Sequence, residues 1–358
     1  MDVLAGIEHI DAALVEHSVV RFNYTVLNPI NREEEFEKFQ KNPEYNPQLR
    51  YNSFDVDYHI EGLKNLEIPE DHPLYELFEE VRQDLLLEAY ALKNIGTEKF
   101  SIKGIFPAVK MDVLEYAREI LSQPRKPLPK KEKTLSAQDL ADQLKAKLDH
   151  YHCRGWTIIF DPHANSRVSV SAGKKTVTIR EHERFAQIDA DKLIKHEIET
   201  HVLRSVNGSK QVLRVCAIGL PRYLPTEEGL AMYNESHVQD IPQEKFIRVA
   251  RQVLVSFYAQ NLSFSQTFKL VREYYRDDKT CFNTVLRAKR GLADTAKPGG
   301  YIKDHCYLQG FLQIKKFVEN GGDVRTLYAG KIALHHKYLV EVGLLEPAQV
   351  LPDFLQDI

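Results

Sequence analysis

The stretch Lys195-His196-Glu197-Ile198-Glu199-Thr200-His201 places two imidazoles and an acid on one short run of chain. It lies inside 190–206, whose apolar spacing predicts a helix. Residues four apart share a face of an α-helix, because each residue turns the chain by about 100°. Here position 200 is threonine, and the second histidine comes five residues after the first, which an ideal helix would direct about 140° away. The rings meet only if the turn holds one extra residue, a π-bulge of the kind frequent at functional sites. With 14 histidines and 51 acidic residues in 358, roughly 0.08 such arrangements arise by chance.

Beyond His201 the chain reads Pro225-Thr226-Glu227-Glu228-Gly229-Leu230-Ala231. Thr226 is a good N-cap residue, so the two acids are expected in the first turn of a new helix. Two imidazoles, a carboxylate and an open position for water are the donor set of a catalytic zinc site. An acid directly after a ligand histidine, as Glu197 is, suits the general base that takes a proton from the bound water. Glu199 is expected in a solvated or supporting position. Glu235, two turns after Glu228, is placed either to orient a ligand imidazole or on the surface.

On the N-terminal side of the active helix, Trp156–Phe160 is a short apolar run. Arg167–Ser171 and Lys175–Arg180 then alternate valine or isoleucine with polar residues around a turn at Ala172 and Gly173, which predicts a β-hairpin. Ser136 caps a helix with Leu140, Leu144 and Leu148 one turn apart. Leu74, Leu77, Phe78, Val81, Leu85 and Leu92 mark a long amphipathic helix entered near Asp71 and Pro73, and another follows at 111–121. From Gln243 onward the pattern predicts helices at 243–260, 265–276, 280–290, 306–319 and 323–343. The reading is a mostly helical α+β fold with a small antiparallel sheet before the active-site helix. It divides into an N-terminal helical region (1–122), a basic, proline-rich linker (123–134) and a catalytic region with C-terminal helices (135–358), packed together as one unit.

Composition narrows the classes. With 48 Lys+Arg against 51 Asp+Glu the net charge is −3, so no global field recruits nucleic acid or an acidic membrane surface. No run approaches the ~20 apolar residues of a membrane span, and the acidic N-terminal stretch is unlike a signal peptide. Cys153, Cys216, Cys281 and Cys306 are far apart and form no CxxC pair, which predicts reduced thiols in a cytoplasmic protein.

The combination HEIETH, then LRSVNG, then PTEEGLA resembles the tubulin-tyrosine carboxypeptidase family (microtubule-associated tyrosine carboxypeptidases), which includes bacterial proteins labelled by a "QEGLA motif". The resemblance runs from about residue 70 to about residue 345. It implies a zincin-like fold of the glutamate (gluzincin) type and a zinc metallopeptidase in which His196, His201 and Glu228 hold Zn2+ and Glu197 is the base. The family label has glutamine where this chain has Glu227, which favours Glu228 as third ligand and leaves Glu227 as the alternative. The implied substrate is the C-terminal tail of a peptide or protein, losing an aromatic or acidic terminal residue. A carboxypeptidase must hold its substrate's α-carboxylate, for which arginine is best suited. The basic candidates are Arg222, Arg287, Arg290 and Lys303. The run from Lys303 to Gly310 is similar to a Lys-Asp-x-x-Tyr-Leu-x-Gly pattern of the same family, in which Tyr307 would stabilise the oxyanion. The competing expectation is a catalytically silent metal-binding regulatory protein of the same fold; an intact Glu197 argues against it.

Overall fold

In a computed structural model the described residues are 6–21, 26–124, 132–164, 166–238 and 243–356. Most of the proline-rich linker, 125–131, lies outside them. The chain groups into two units. The first joins Met1–Pro124 to Gln243–Leu308, and the second joins Arg125–Pro242 to Gln309–Ile358. The units therefore do not follow the linear division at 123–134, because the helices of 243–308 pack with the N-terminal region.

Aromatic packing explains that grouping in the first unit. Phe36 and Phe39, on helix Arg32–Lys41, meet Phe282, on helix Asp278–Lys289, at ring-centroid distances of 4.9 and 5.3 Å. Phe39 also meets Phe268, on helix Phe264–Val271, at 4.7 Å. Main-chain bonds from Leu49 N–H to the Ala293 carbonyl (2.7 Å) and from Phe264 N–H to the Thr295 carbonyl (2.9 Å) tie the loops between them. The expected amphipathic helices are present as Tyr75–Lys93 and Met111–Ser122, and the late ones as Gln243–Ala259, Phe264–Val271 and Asp278–Lys289.

The second unit carries the sheet and the histidine helix. Ser136 caps Ala137–His150 through a capping box with Asp139, and Leu140, Leu144 and Leu148 turn inward as their spacing requires. They pack with Trp156, Val177, Ile179, Phe185, Ile198, Val202, Leu203 and Leu230 in one apolar core. β1 is Thr157–Asp161, β2 Val168–Ser171 and β3 Thr176–Arg180. The hairpin is present, with β2 antiparallel to β3. The expectation of an antiparallel sheet is corrected: β3 inserts between the other two, so the order is β1-β3-β2 and β1 runs parallel to β3. The connection from β1 steps past one strand position, and β2 then turns tightly back into the gap. A continuous helix at 323–343 is also corrected. That stretch is broken into short turns at Val324–Tyr328, Leu334–Lys337 and Tyr338–Glu341, interrupted by Gly330. The four cysteines are buried and unbridged. No helix among the described residues is long and apolar enough to cross a membrane.

Candidate metal centre

The histidine helix runs as Gln187–Leu193, a π-helical segment Ile194–Val202, then Leu203–Gly208. The widened turn is the one the five-residue spacing requires. Leu203 N–H reaches the Ile198 carbonyl, five residues back, and the rings of His196 and His201 lie 4.9 Å apart at 82° to one another.

The glutamate helix, Tyr223–Glu235, supplies the third group. The Nε2 atoms of His196 and His201 each lie 3.9 Å from Glu228 Oε2. Thr226 is not its N-cap, contrary to expectation. The helix starts four residues earlier, from Arg222 in the left-handed region (φ 58°), and the Thr226 hydroxyl instead accepts the Leu334 N–H at 2.8 Å. Pro225 is tolerated in this first turn because the N–H it lacks would have no intrahelical acceptor there. Gly229, next to Glu228, lets the helix lie backbone to backbone against Gly310 of helix Cys306–Glu319.

Both outer imidazole nitrogens are occupied. His196 Nδ1 bonds Glu235 Oε1 at 2.6 Å, and His201 Nδ1 bonds Glu227 Oε1 at 2.8 Å. A carboxylate on Nδ1 fixes that nitrogen as the donor and turns the Nε2 lone pair inward. Glu235 is thereby an orienting residue, buried and off the surface, and Glu227 faces away from Glu228 toward His201. Residues 228 and 235 stand seven apart, about two turns, so one stripe of the helix carries both the carboxylate that faces the two Nε2 atoms and the one that orients His196.

Glu227 is pinned by two buried cations that the sequence reading did not single out. Arg204 pairs with it while donating to the carbonyls of Leu327 (2.9 Å) and Ile332 (2.6 Å), and Lys331 Nζ lies 3.1 Å from Glu227 Oε1. Burial alone would raise the Glu227 pKa, but Lys331, Arg204 and His201 together hold it far below the usual carboxylate range. Glu197 has the opposite balance: burial pushes its pKa up, against the pull of the two imidazoles. A carboxylate so biased toward holding a proton is suited to accept one. Glu199 is buried and accepts from Tyr151 OH at 2.8 Å and Lys195 Nζ at 2.5 Å. Sequence signals for Arg204 existed only in hindsight of the bulge, since it sits one turn past His201.

The donor set fits a divalent zinc-type ion. The ligand atoms of His196, His201 and Glu228 all lie within 4.8 Å of one another. Tetrahedral zinc wants separations of roughly 3.3–3.5 Å, so the 3.9 Å contacts need only a slight contraction.

The other predicted residues are placed as follows. Arg222 is exposed at the start of the glutamate helix. Arg287, Arg290, Lys303 and Tyr307 belong to the first unit. There Arg287 grips Asp304 with two nitrogens, Nη2 at 2.9 Å from Oδ1. Arg290 donates to Asn28 Oδ1 at 3.1 Å, and the buried Lys303 ammonium sits 5.7 Å from the Tyr307 ring centre.

A bulged helix presenting two imidazoles to a carboxylate on a second helix, in an α+β fold, defines a candidate divalent-metal centre. The chain belongs to the microtubule-associated tyrosine carboxypeptidase family, whose sequence pattern matches residues 34–358. It is 26% identical over 339 residues to microtubule-associated tyrosine carboxypeptidase 1 of Mus musculus, covering 93% of this chain and 65% of that protein. The Rattus norvegicus protein of the same name is also 26% identical, with 93% and 64% covered. The Homo sapiens protein of that name is 32% identical over 172 residues, 46% of this chain and 36% of the relative. The chain thus spans a little under two thirds of the length of the first two.

Proposed function

We propose that this protein is a zinc-dependent carboxypeptidase, cytoplasmic, that releases an aromatic or acidic residue from the C-terminus of a peptide or protein tail. The observation that carries the reading is the convergence of His196 Nε2 and His201 Nε2 on Glu228, with each Nδ1 anchored by its own carboxylate. Family membership supports it, since the relatives are named as tyrosine carboxypeptidases. His196, His201 and Glu228 would hold zinc, which when bound supplies a water acidic enough to ionise near neutral pH and a Lewis acid for the scissile carbonyl. Glu197 accepts the water proton on its carboxylate and delivers it to the leaving amine. Glu235 and Glu227 keep the two imidazoles aimed and in one tautomer. β2, an edge strand, is offered as the template along which an extended substrate adds as a further strand.

The α-carboxylate of the substrate is assigned to a basic side chain, tested singly at Arg222, Arg287, Arg290 and Lys303. Tyr307 is proposed to steady the oxyanion. The deciding experiment compares a peptide ending in a free carboxylate with its C-terminal amide, reading released amino acid by mass spectrometry. The acid should be trimmed and the amide cut far more slowly. Equal cleavage of both, or products from internal bonds, would overturn the carboxypeptidase assignment while leaving a peptidase. Zinc uptake with no cleavage of either would favour the silent metal-binding alternative.

A further inference from the structure

Thr200 stands where the common four-residue spacing would put the second histidine, and its side chain is used. Its hydroxyl donates to the Lys195 carbonyl, five residues back, at 2.8 Å. In an α-helix a threonine hydroxyl back-bonds to the carbonyl three or four residues earlier, so a bond reaching five back belongs to the widened turn. The same hydroxyl accepts from Asn234 Nδ2 at 2.7 Å, and that nitrogen also donates to Tyr328 OH at 2.7 Å. Thr200 and Asn234 are fully buried. The asparagine precedes Glu235, the anchor of His196, so adjacent residues of the glutamate helix grip the wide turn and its first imidazole.

From this we infer that Thr200, tethered by Asn234, is the positioning residue that holds the Ile194–Val202 turn open and so keeps His201 on the metal face. The inference rests on the zinc reading above. A π-turn is rare and competes with the ordinary α register, in which His201 would swing away from His196 and Glu228. Thr200→Val keeps shape and branching while removing the hydroxyl, which leaves the Asn234 amide and the Lys195 carbonyl each short of a partner. Thr200→Ser restores the hydroxyl.

Zinc affinity is measured by chelator competition on the full chain, alongside the visible spectrum of the Co2+-substituted protein. Thr200→Val should weaken zinc binding by about 10–100-fold and reduce the tetrahedral cobalt bands, as loss of a ligand-supporting contact does, and Thr200→Ser should recover most of both. A merely structural hydroxyl would lower the melting temperature of the metal-free protein without moving affinity or spectrum. Unchanged zinc affinity and cobalt spectrum in Thr200→Val, with wild-type protein binding zinc, overturns the lock alone. A loss in Thr200→Ser equal to that in Thr200→Val also overturns it. Wild-type protein that takes up neither metal overturns the zinc reading itself. If Thr200→Val does not fold, Asn234→Ala, which leaves the histidine helix untouched, puts the same question to the tether: weaker zinc binding supports the lock and unchanged binding refutes it.

Discussion

Replacing Gly229 by alanine tests whether the glutamate helix is set by backbone contact. A Cβ at 229 would fall inside the van der Waals envelope of the Gly310 carbonyl and 2.6 Å from Phe311 N. Ordinary contact at such a pair is about 3.5 Å, so the two helices must part by about 1 Å. Neither obstacle is a flexible side chain that could move aside. Overpacking of this kind costs up to about 3 kcal/mol, of which the better helix propensity of alanine returns about 1. The net of about 2 kcal/mol corresponds to a fall in melting temperature of about 4–8 °C for a unit of this size. Because Glu228 is the preceding residue, zinc affinity should fall with it. Gly173→Ala, in the hairpin turn with nothing within 4 Å of the new carbon, is the control and should melt near wild type. Scanning calorimetry and chelator titration read both effects. A Gly229→Ala protein that melts within about 1 °C of wild type and binds zinc equally would refute the account of how Glu228 is placed.

Other outcomes follow from the site. Purified protein should contain close to one zinc per chain by elemental analysis, and His196→Ala or His201→Ala should lose most of it. Glu197→Gln should keep the metal and lose about 10²–10⁴ in turnover, whereas Glu228→Gln should weaken zinc binding; the reverse pattern would exchange their roles. Removing Arg204 as Arg204→Met strands Glu227 beside Lys331 and should destabilise by about 3–5 kcal/mol, read by urea unfolding. Asp304 is pushed up by burial but held below its ordinary pKa by Arg287 and neighbouring cations. A carboxylate depressed in the folded state stabilises above its unfolded pKa and loses that contribution as pH falls through the folded one. The stability gap between wild type and Asp304→Asn should therefore be full at neutral pH and shrink below about pH 4; a gap independent of pH would contradict the pairing.

What could be read from the chain alone was whatever local spacing determines. The histidine pair demanded a widened turn, and the turn at Ile194–Val202 is there. The apolar spacing of Leu140, Leu144 and Leu148, with Ser136 before them, placed the start and the buried face of that helix. Nonlocal features were not legible. The parallel partner of β1 depends on which strand fills the gap beside it, and the hairpin pattern is the same either way. Thr226 looked like a cap because threonine before acids usually is one, yet Arg222 starts the helix through a left-handed backbone that its residue type does not announce. Arg204, Lys331 and Asn234 read as surface residues by type, since charged and amide side chains are buried only when distant partners satisfy them. Glu227 and Glu228 are alike by residue type; the family resemblance favoured Glu228, and it is Glu228 that faces both Nε2 atoms while Glu227 bonds His201 Nδ1.

The wide turn is, in length, a single residue of surplus chain absorbed in mid-helix. Everything after it is rotated by about 100° relative to an uninterrupted α-helix of the same sequence. Val202 and Leu203 meet the core at that rotated phase, and Arg204 reaches its two carbonyls at that phase. Closing the turn to the ordinary α register without a deletion would swing His201 and Arg204 away together, whereas deleting one residue between Glu197 and His201 would remove the surplus and leave both at the phase they now hold. What the apolar and carbonyl contacts downstream hold is the phase of the helix and not its residue count, and those contacts take no part in the chemistry.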